Sequence, residues 1–172
     1  MVRNLKKFKS SIVNSFPLIL LYFLSISEID TYFSNFFEIL SFNLQIIIIY
    51  YWMLHGDTIL GNGHIFLAGI INDVVVGLPL GSSAISYLIV SLVASYIKNV
   101  TVNFSLFTDW FTFLIAIFFS NLCFILLLNN FTDLIITYNE IFYNSFFTFL
   151  FYPLFWGFFS IYKRLIVVRK DD

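Results

Sequence analysis

The sequence predicts an all-α membrane protein: a single domain over residues 1–172 that forms a compact bundle of six transmembrane helices. Composition is the first reason. Hydrophobic residues make up 60% of the chain and charged residues 11%, and the mean hydropathy is +0.91, whereas a soluble domain carries about 25% charged residues. The second reason is that long apolar runs recur along the chain and no polar stretch is long enough to fold separately.

Six apolar segments account for almost the whole chain. They are residues 11–26, 36–54, 59–78, 82–97, 110–128 and 141–162. A helix needs about 20 residues to cross the hydrocarbon core, and each segment is close to that length, with the first and fourth the shortest. The basic N-terminus followed by an apolar run is similar to a signal peptide. Because no small-x-small cleavage site follows, we predict an uncleaved first span.

The distribution of charge predicts how the spans are oriented. With six spans and a cytoplasmic N-terminus, all nine Lys and Arg residues fall in cytoplasmic segments, and the opposite loops hold only acidic charge. The nine are Arg3, Lys6, Lys7, Lys9, Lys98, Lys163, Arg164, Arg169 and Lys170. Basic residues are retained on the cytoplasmic side, so both termini are expected there. A five-span arrangement would export the C-terminal basic cluster.

Asp73 is an ionisable residue inside the apolar run 65–80. Gly69 precedes it by four residues, Gly77 follows it by four and Gly81 by eight, which predicts a glycine-lined helix face. A carboxylate within a membrane faces the protein interior or a partner, and small residues at this spacing let another helix approach closely. Two uses of this face stay open: packing against the fourth span, which we favour, or binding a partner.

The hydrogen-bond partner of Asp73 is also open. The carboxylate could accept from Asn43, from Tyr50 or Tyr51, or from a backbone amide near Pro79, or it could stay protonated in a buried site. Pro79 is expected to end the third span, because proline lacks the backbone N–H.

Two further features bear on helix geometry. Gly56, Gly61 and Gly63 punctuate the connection before the third span, which is expected to begin between residues 59 and 64. Pro153 is expected to kink the sixth span.

Catalytic and metal-binding patterns are missing from the sequence. His55, Asp57 and His64 share one predicted loop, but their spacing matches no compact zinc motif. There is no G-x-S-x-G motif and no phosphate-binding loop. We therefore predict a protein that is not an enzyme, holds no metal or cofactor and binds no nucleic acid.

The central part of the chain, from Asn43 to about Ile97, resembles the MreD family of bacterial rod-shape-determining proteins. The resemblance is carried, in order, by Tyr51-Trp52, Gly63, Gly69, Asp73, Gly77, Leu80-Gly81 and Tyr87-Leu88. Chain length, span count and a late proline followed by basic residues also agree. The chain departs from the family pattern at Phe42, where many members carry a proline, and in the loop after Trp52, which has Gly56 and Asp57 but no proline.

The resemblance implies a function and a set of partners. It implies a non-enzymatic, multi-pass scaffold in the bacterial cytoplasmic membrane that binds MreC and links the MreB filament to the wall synthases, which are RodA and its partner transpeptidase. The candidate structural or interaction residues are Asn43, Tyr51, Trp52, Gly63, Gly69, Asp73, Gly77, Pro79, Gly81, Tyr87 and Pro153.

Two other functions are weighed against this one. The six-helix arrangement is similar to the substrate-binding membrane subunit of energy-coupling-factor vitamin transporters. Those subunits commonly dock their partner through Ala-x-x-x-Ala on the first span, and residues 11–26 contain no alanine. An intramembrane enzyme is the third alternative, and it rests on Asp73 alone.

Overall fold

The computed structural model describes residues 15–27, 43–56, 60–101, 105–131 and 138–168, with side chains described as far as Arg164. Within these ranges the chain forms six α-helices and no strand, which confirms the all-α prediction. The helices are α1 (Phe16–Ile26), α2 (Leu44–His55), α3 (Asn62–Val76), α4 (Ser82–Val100), α5 (Leu106–Phe131) and α6 (Tyr138–Val168).

Three of the helices are long and apolar enough to cross a membrane: α4, α5 and the Tyr138–Arg164 part of α6. The other three, α1 to α3, are apolar but have only 11, 12 and 15 residues. The parts of the predicted spans at residues 11–14, 36–42 and 59 lie outside the described residues.

Several predicted helix ends are wrong by a few residues. The last three helices extend beyond the apolar segments 82–97, 110–128 and 141–162, because polar residues in their terminal turns still form the helical backbone bonds. α3, in contrast, is shorter than residues 59–78. Gly77 ends it, not Pro79: its left-handed backbone (φ 77°) lets the Leu78 amide donate back to the Asp73 carbonyl at 2.9 Å. Pro153 lies inside α6, which stays helical on both sides of it.

α2 is the central helix of the bundle. Its side chains are apolar around the whole circumference, and residues 46–51 together with Leu54 are buried. A helix of this kind must be surrounded by other elements, and α1, α4, α5 and α6 all pack against it. Aromatic rings fill the space between α2, α5 and α6: the Phe113 ring lies 4.9 Å from Tyr50 and 4.3 Å from Tyr152, measured between ring centroids.

Successive helices run in opposite directions, so the bundle has two ends. Gln45, at the start of α2, contacts Asn72, near the end of α3, and His55, at the end of α2, contacts Asp109, at the start of α5. Phe16, at the start of α1, lies 4.6 Å between ring centroids from Tyr162, late in α6. We call the two ends the Asp73 end and the Asp109 end.

The outer surface of α5 and α6 is strongly apolar. The exposed residues Phe111, Phe118 and Leu122 lie on α5, and Phe142 and Leu154 lie on α6. A protein in water rarely exposes contiguous apolar surface of this extent, whereas lipid tails solvate it without cost. The surface and the three long apolar helices together indicate a membrane protein.

Candidate functional site

Asp73 lies in the last turn of α3, beside the tight connection to α4, and its carboxylate binds the start of α4. The carboxylate is completely buried. Oδ2 accepts the backbone N–H of Gly81 at 2.8 Å, and Oδ1 accepts the backbone N–H of Ser83 at 2.9 Å. Of the partners considered from the sequence, the backbone amides near Pro79 are the ones found.

The arrangement is an N-cap supplied from the preceding helix. The residue before α4 is Gly81, which has no side chain to cap the free N–H groups of the first turn. The Asp73 carboxylate takes that role, and its negative charge faces the positive end of the α4 dipole. Two N–H donors and the dipole compensate for burying the charge.

The three glycines of the predicted face have different roles. Gly69 is the close-approach position: a Cβ added there would lie 2.3 Å from the Ala84 Cα on α4. The prediction that Gly77 and Gly81 line a helix face is wrong. Both have positive φ, 77° and 102°, and they shape the turn on either side of Pro79. The contact observed at Gly69 is internal to the bundle.

A chain of polar side chains lies beside this turn and joins α2, α3 and α4. Tyr87 OH donates to Gln45 Oε1, Gln45 Nε2 donates to Asn72 Oδ1 at 3.0 Å, and Asn72 Nδ2 donates to Ser83 Oγ at 3.1 Å. Each group therefore has a partner, as buried polar groups require. Tyr87 is thereby connected to Asp73 through Gln45, Asn72 and Ser83.

Asn43 and Thr148 connect the same end of the bundle to α6. Asn43 Oδ1 accepts the Ile46 N–H at 3.1 Å and so caps α2, while the Asn43 N–H donates to Thr148 Oγ1 at 2.8 Å. Asn43 thus fixes both the start of α2 and its position against α6.

The remaining predicted residues lie away from the turn. Tyr51 is buried with its ring 4.9 Å from His55, and Trp52 is half-buried against Phe159. Gly63 is in the first turn of α3 with open space beside it, and Pro153 is at the midpoint of α6. These positions are not brought together with Asp73.

The structure contains a second buried carboxylate, Asp109, which is not among the residues predicted from the sequence. It is fully buried at the opposite end of the bundle. Its Oδ2 lies 2.6 Å from His55 Nε2 and accepts the Trp156 indole N–H at 2.9 Å, which joins α2, α5 and α6. Its Oδ1 is buried without a hydrogen-bond partner among the described residues. We call Asp109, His55 and Trp156 the Asp109 cluster. Asp109 directly precedes the predicted fifth span. The sequence feature that could have indicated its burial is its place within one helical turn of that apolar run.

Two lysines bind the C-terminus of α2 next to this cluster. Lys163 Nζ donates to the His55 carbonyl at 2.6 Å, and Lys98 Nζ donates to the Gly56 carbonyl at 2.9 Å. Cations stabilise a helix C-terminus because they bind its free carbonyl groups and face the negative end of the dipole. α4 and α6 are thereby both attached to the end of the central helix.

Both sites hold helices together through their charges. The Asp73 carboxylate accepts hydrogen bonds from two backbone amides. The Asp109 carboxyl group contacts the His55 imidazole and the Trp156 indole. His55 and His64, considered together from the sequence, have separate partners, since His64 Nδ1 lies 3.1 Å from Tyr22 OH. Asp57 lies outside the described residues.

Searches against protein-family models, curated proteins and solved structures found no match to this chain.

Proposed function

We propose that this chain is a non-enzymatic membrane scaffold of the MreD type, which binds MreC and helps couple the MreB filament to RodA and its partner transpeptidase. The observation that carries the proposal is that the residues behind the resemblance position helices and turns. Asp73, Gly77 and Gly81 build one turn, Gly69 sets the distance between α3 and α4, and Tyr87 joins the adjoining polar chain. These are architectural roles, which is what a scaffold requires.

The proposal includes a topology of six spans in the bacterial cytoplasmic membrane with both termini in the cytoplasm. The alternation of helix direction supports it, as does the placement of charge: Lys98, Lys163 and Arg164, the Lys and Arg side chains within the described ranges, are all near the Asp109 end. Basic residues concentrate on the cytoplasmic side of membrane proteins, so the Asp109 end faces the cytoplasm in this arrangement.

The test is depletion of the protein in a rod-shaped bacterial host, with pull-down from native membranes as the second measurement. Depleted cells should become round, and MreC should co-purify with the tagged wild-type chain. The Asp73→Asn variant should weaken that co-purification without removing any turnover.

Two results would contradict the proposal. The first is an unchanged rod shape with normal wall incorporation after depletion. The second is tight co-purification of a vitamin-sized molecule in place of MreC, which would favour the transporter subunit.

A further inference from the structure

A cleft opens on the bundle surface at the Asp109 end, between the end of α2, the start of α3 and the end of α4. Its volume is about 440 Å³. The walls are of two kinds: Met53 and Leu60 supply apolar surface, and polar side chains come from Asn62, Ser95, Lys98 and Asn99. A ligand with a polar head and an apolar chain matches a wall of this composition.

Hydrogen-bond donors dominate the polar side of the cleft. Lys98 uses one N–H for the Gly56 carbonyl, and an ammonium group has three. The Asn62 carboxamide oxygen accepts from Ser91 Oγ at 2.8 Å, which leaves its NH2 group to donate elsewhere.

The start of α3 adds to this excess of donors. Gly61 precedes the helix without a side-chain cap, and the first turn contains no acidic residue. Its free N–H groups, at the positive end of the helix dipole, therefore lie at the cleft wall. Asp109, the buried carboxyl group at this end, is not among the cleft residues, and its Oδ2 contacts His55 and Trp156.

We propose that this cleft binds an anionic phospholipid, with Lys98 and the start of α3 holding the phosphate and with Met53 and Leu60 contacting the glycerol and acyl chain. The inference rests on the proposed orientation, which places the cleft at the cytoplasmic leaflet, where anionic lipids collect around basic pockets between helices. Binding itself is measured on the isolated protein, so it succeeds or fails separately from any effect on cell shape.

The experiment uses the purified full chain in nanodiscs of phosphatidylcholine, with and without phosphatidylglycerol, and native mass spectrometry to count retained lipid. Wild-type protein should retain phosphatidylglycerol selectively. Lys98→Gln should reduce the apparent affinity about tenfold, since a charge-assisted hydrogen bond of this kind is lost. Ser95→Leu narrows the cleft without altering charge and should have an effect in the same direction.

Arg164→Gln is the matched control, because it removes a cation at the same end from outside the described cleft lining. It should leave retention of phosphatidylglycerol unchanged.

Three results would overturn the proposal or decide it. Equal retention of both lipids by the wild type, or equal losses in Lys98→Gln and Arg164→Gln, would overturn it. Displacement of the lipid by inorganic phosphate at low concentration would also overturn it, in favour of a site for soluble anions. If Lys98→Gln unfolds in phosphatidylcholine nanodiscs, the result for Ser95→Leu decides.

Discussion

The two buried aspartates differ in how far along the chain their hydrogen-bond partners lie. Asp73 is bound by backbone amides eight and ten residues further along the chain, so its site is local. Asp109 is bound by side chains 54 residues before it and 47 residues after it, so its site exists only in the folded bundle. At Asp73 both carboxylate oxygens accept a hydrogen bond, which compensates for removing the group from water. At Asp109 both contacts are to Oδ2, and Oδ1 has no partner among the described residues. The role of each charge is therefore to hold helices.

Replacing Asp73 should destabilise the α3–α4 turn. Asp73→Ala leaves the N–H groups of Gly81 and Ser83 without their acceptors, and we expect a loss of about 2–3 kcal/mol in the free energy of unfolding. Asp73→Asn keeps one acceptor oxygen and should lose less. Unfolding in mixed micelles measures both variants. Val74→Ala, at an exposed neighbour on the same helix, is the control. An Asp73→Ala variant as stable as that control would show that the cap contributes nothing.

Adding a methyl group at Gly69 should separate α3 from α4. The new Cβ would lie 2.3 Å from backbone of Ala84, and overpacking of this kind costs about 1–3 kcal/mol or more. Gly63→Ala is a matched control on the same helix with open space around it, and it should be neutral or slightly stabilising, because alanine favours helix. The same unfolding assay compares the two. Equal effects of the two substitutions would mean that the close approach is absent in the membrane.

At the scale of elements, α3 and α4 form a tight hairpin, whereas α6 depends more on polar anchors. α4 contributes a small-residue face to the hairpin, including Ala84 and Ser91, and it also exchanges hydrogen bonds between Ser86 and Ser120 with α5. α6 has an exposed apolar outer face and few buried side chains: Thr148, Tyr152 and Phe159. Its polar contacts include those with Asn43, Asp109 and the His55 carbonyl, together with two hydrogen bonds from α5, donated by Trp110 and Asn121.

Removing the polar anchors should loosen the end of α6. Trp156→Phe removes the N–H that binds Asp109, and Lys163→Met removes the ammonium that binds the His55 carbonyl. Their effect can be read from cross-linking of Phe16→Cys to Tyr162→Cys in a Cys123→Ser background, since the native rings at these positions are in contact. We expect the double variant to cross-link several-fold less, because each hydrogen bond to a charged group contributes about 1.5–3 kcal/mol. Unchanged cross-linking would show that apolar packing alone positions α6.

Across the whole molecule, the two ends of the bundle differ in charge. The Asp109 end carries Lys98, Lys163 and Arg164, and the described acidic residue exposed at the Asp73 end is Glu140. This asymmetry orients a bundle in a membrane. The proposed lipid cleft and the proposed scaffold assume the same orientation, in which the Asp109 end faces the cytoplasm and the Asp73 end faces away from it.

Cysteine accessibility tests that orientation. In a Cys123→Ser background, a membrane-impermeant maleimide should label Leu80→Cys from outside intact spheroplasts and should label Val100→Cys only after permeabilisation. Both parent side chains are exposed, at 71% and 62%, so the reagent can reach either one. The reverse pattern would invert the proposed topology, and labelling of both positions from one side would contradict a bundle that spans the membrane.

The sequence by itself determined the all-α class, the approximate position of the apolar helices and the burial of Asp73 next to the connection between α3 and α4. Those properties are local: hydropathy, helix length and glycine spacing are all visible within a few turns of chain. The tertiary structure decided that Gly77 and not Pro79 ends α3, that Gly69 contacts Ala84, and that Asp73 caps α4. It alone revealed the Asp109 cluster, because residues 55, 109 and 156 meet only when three helices pack in one particular register, and no local pattern in a chain records that register.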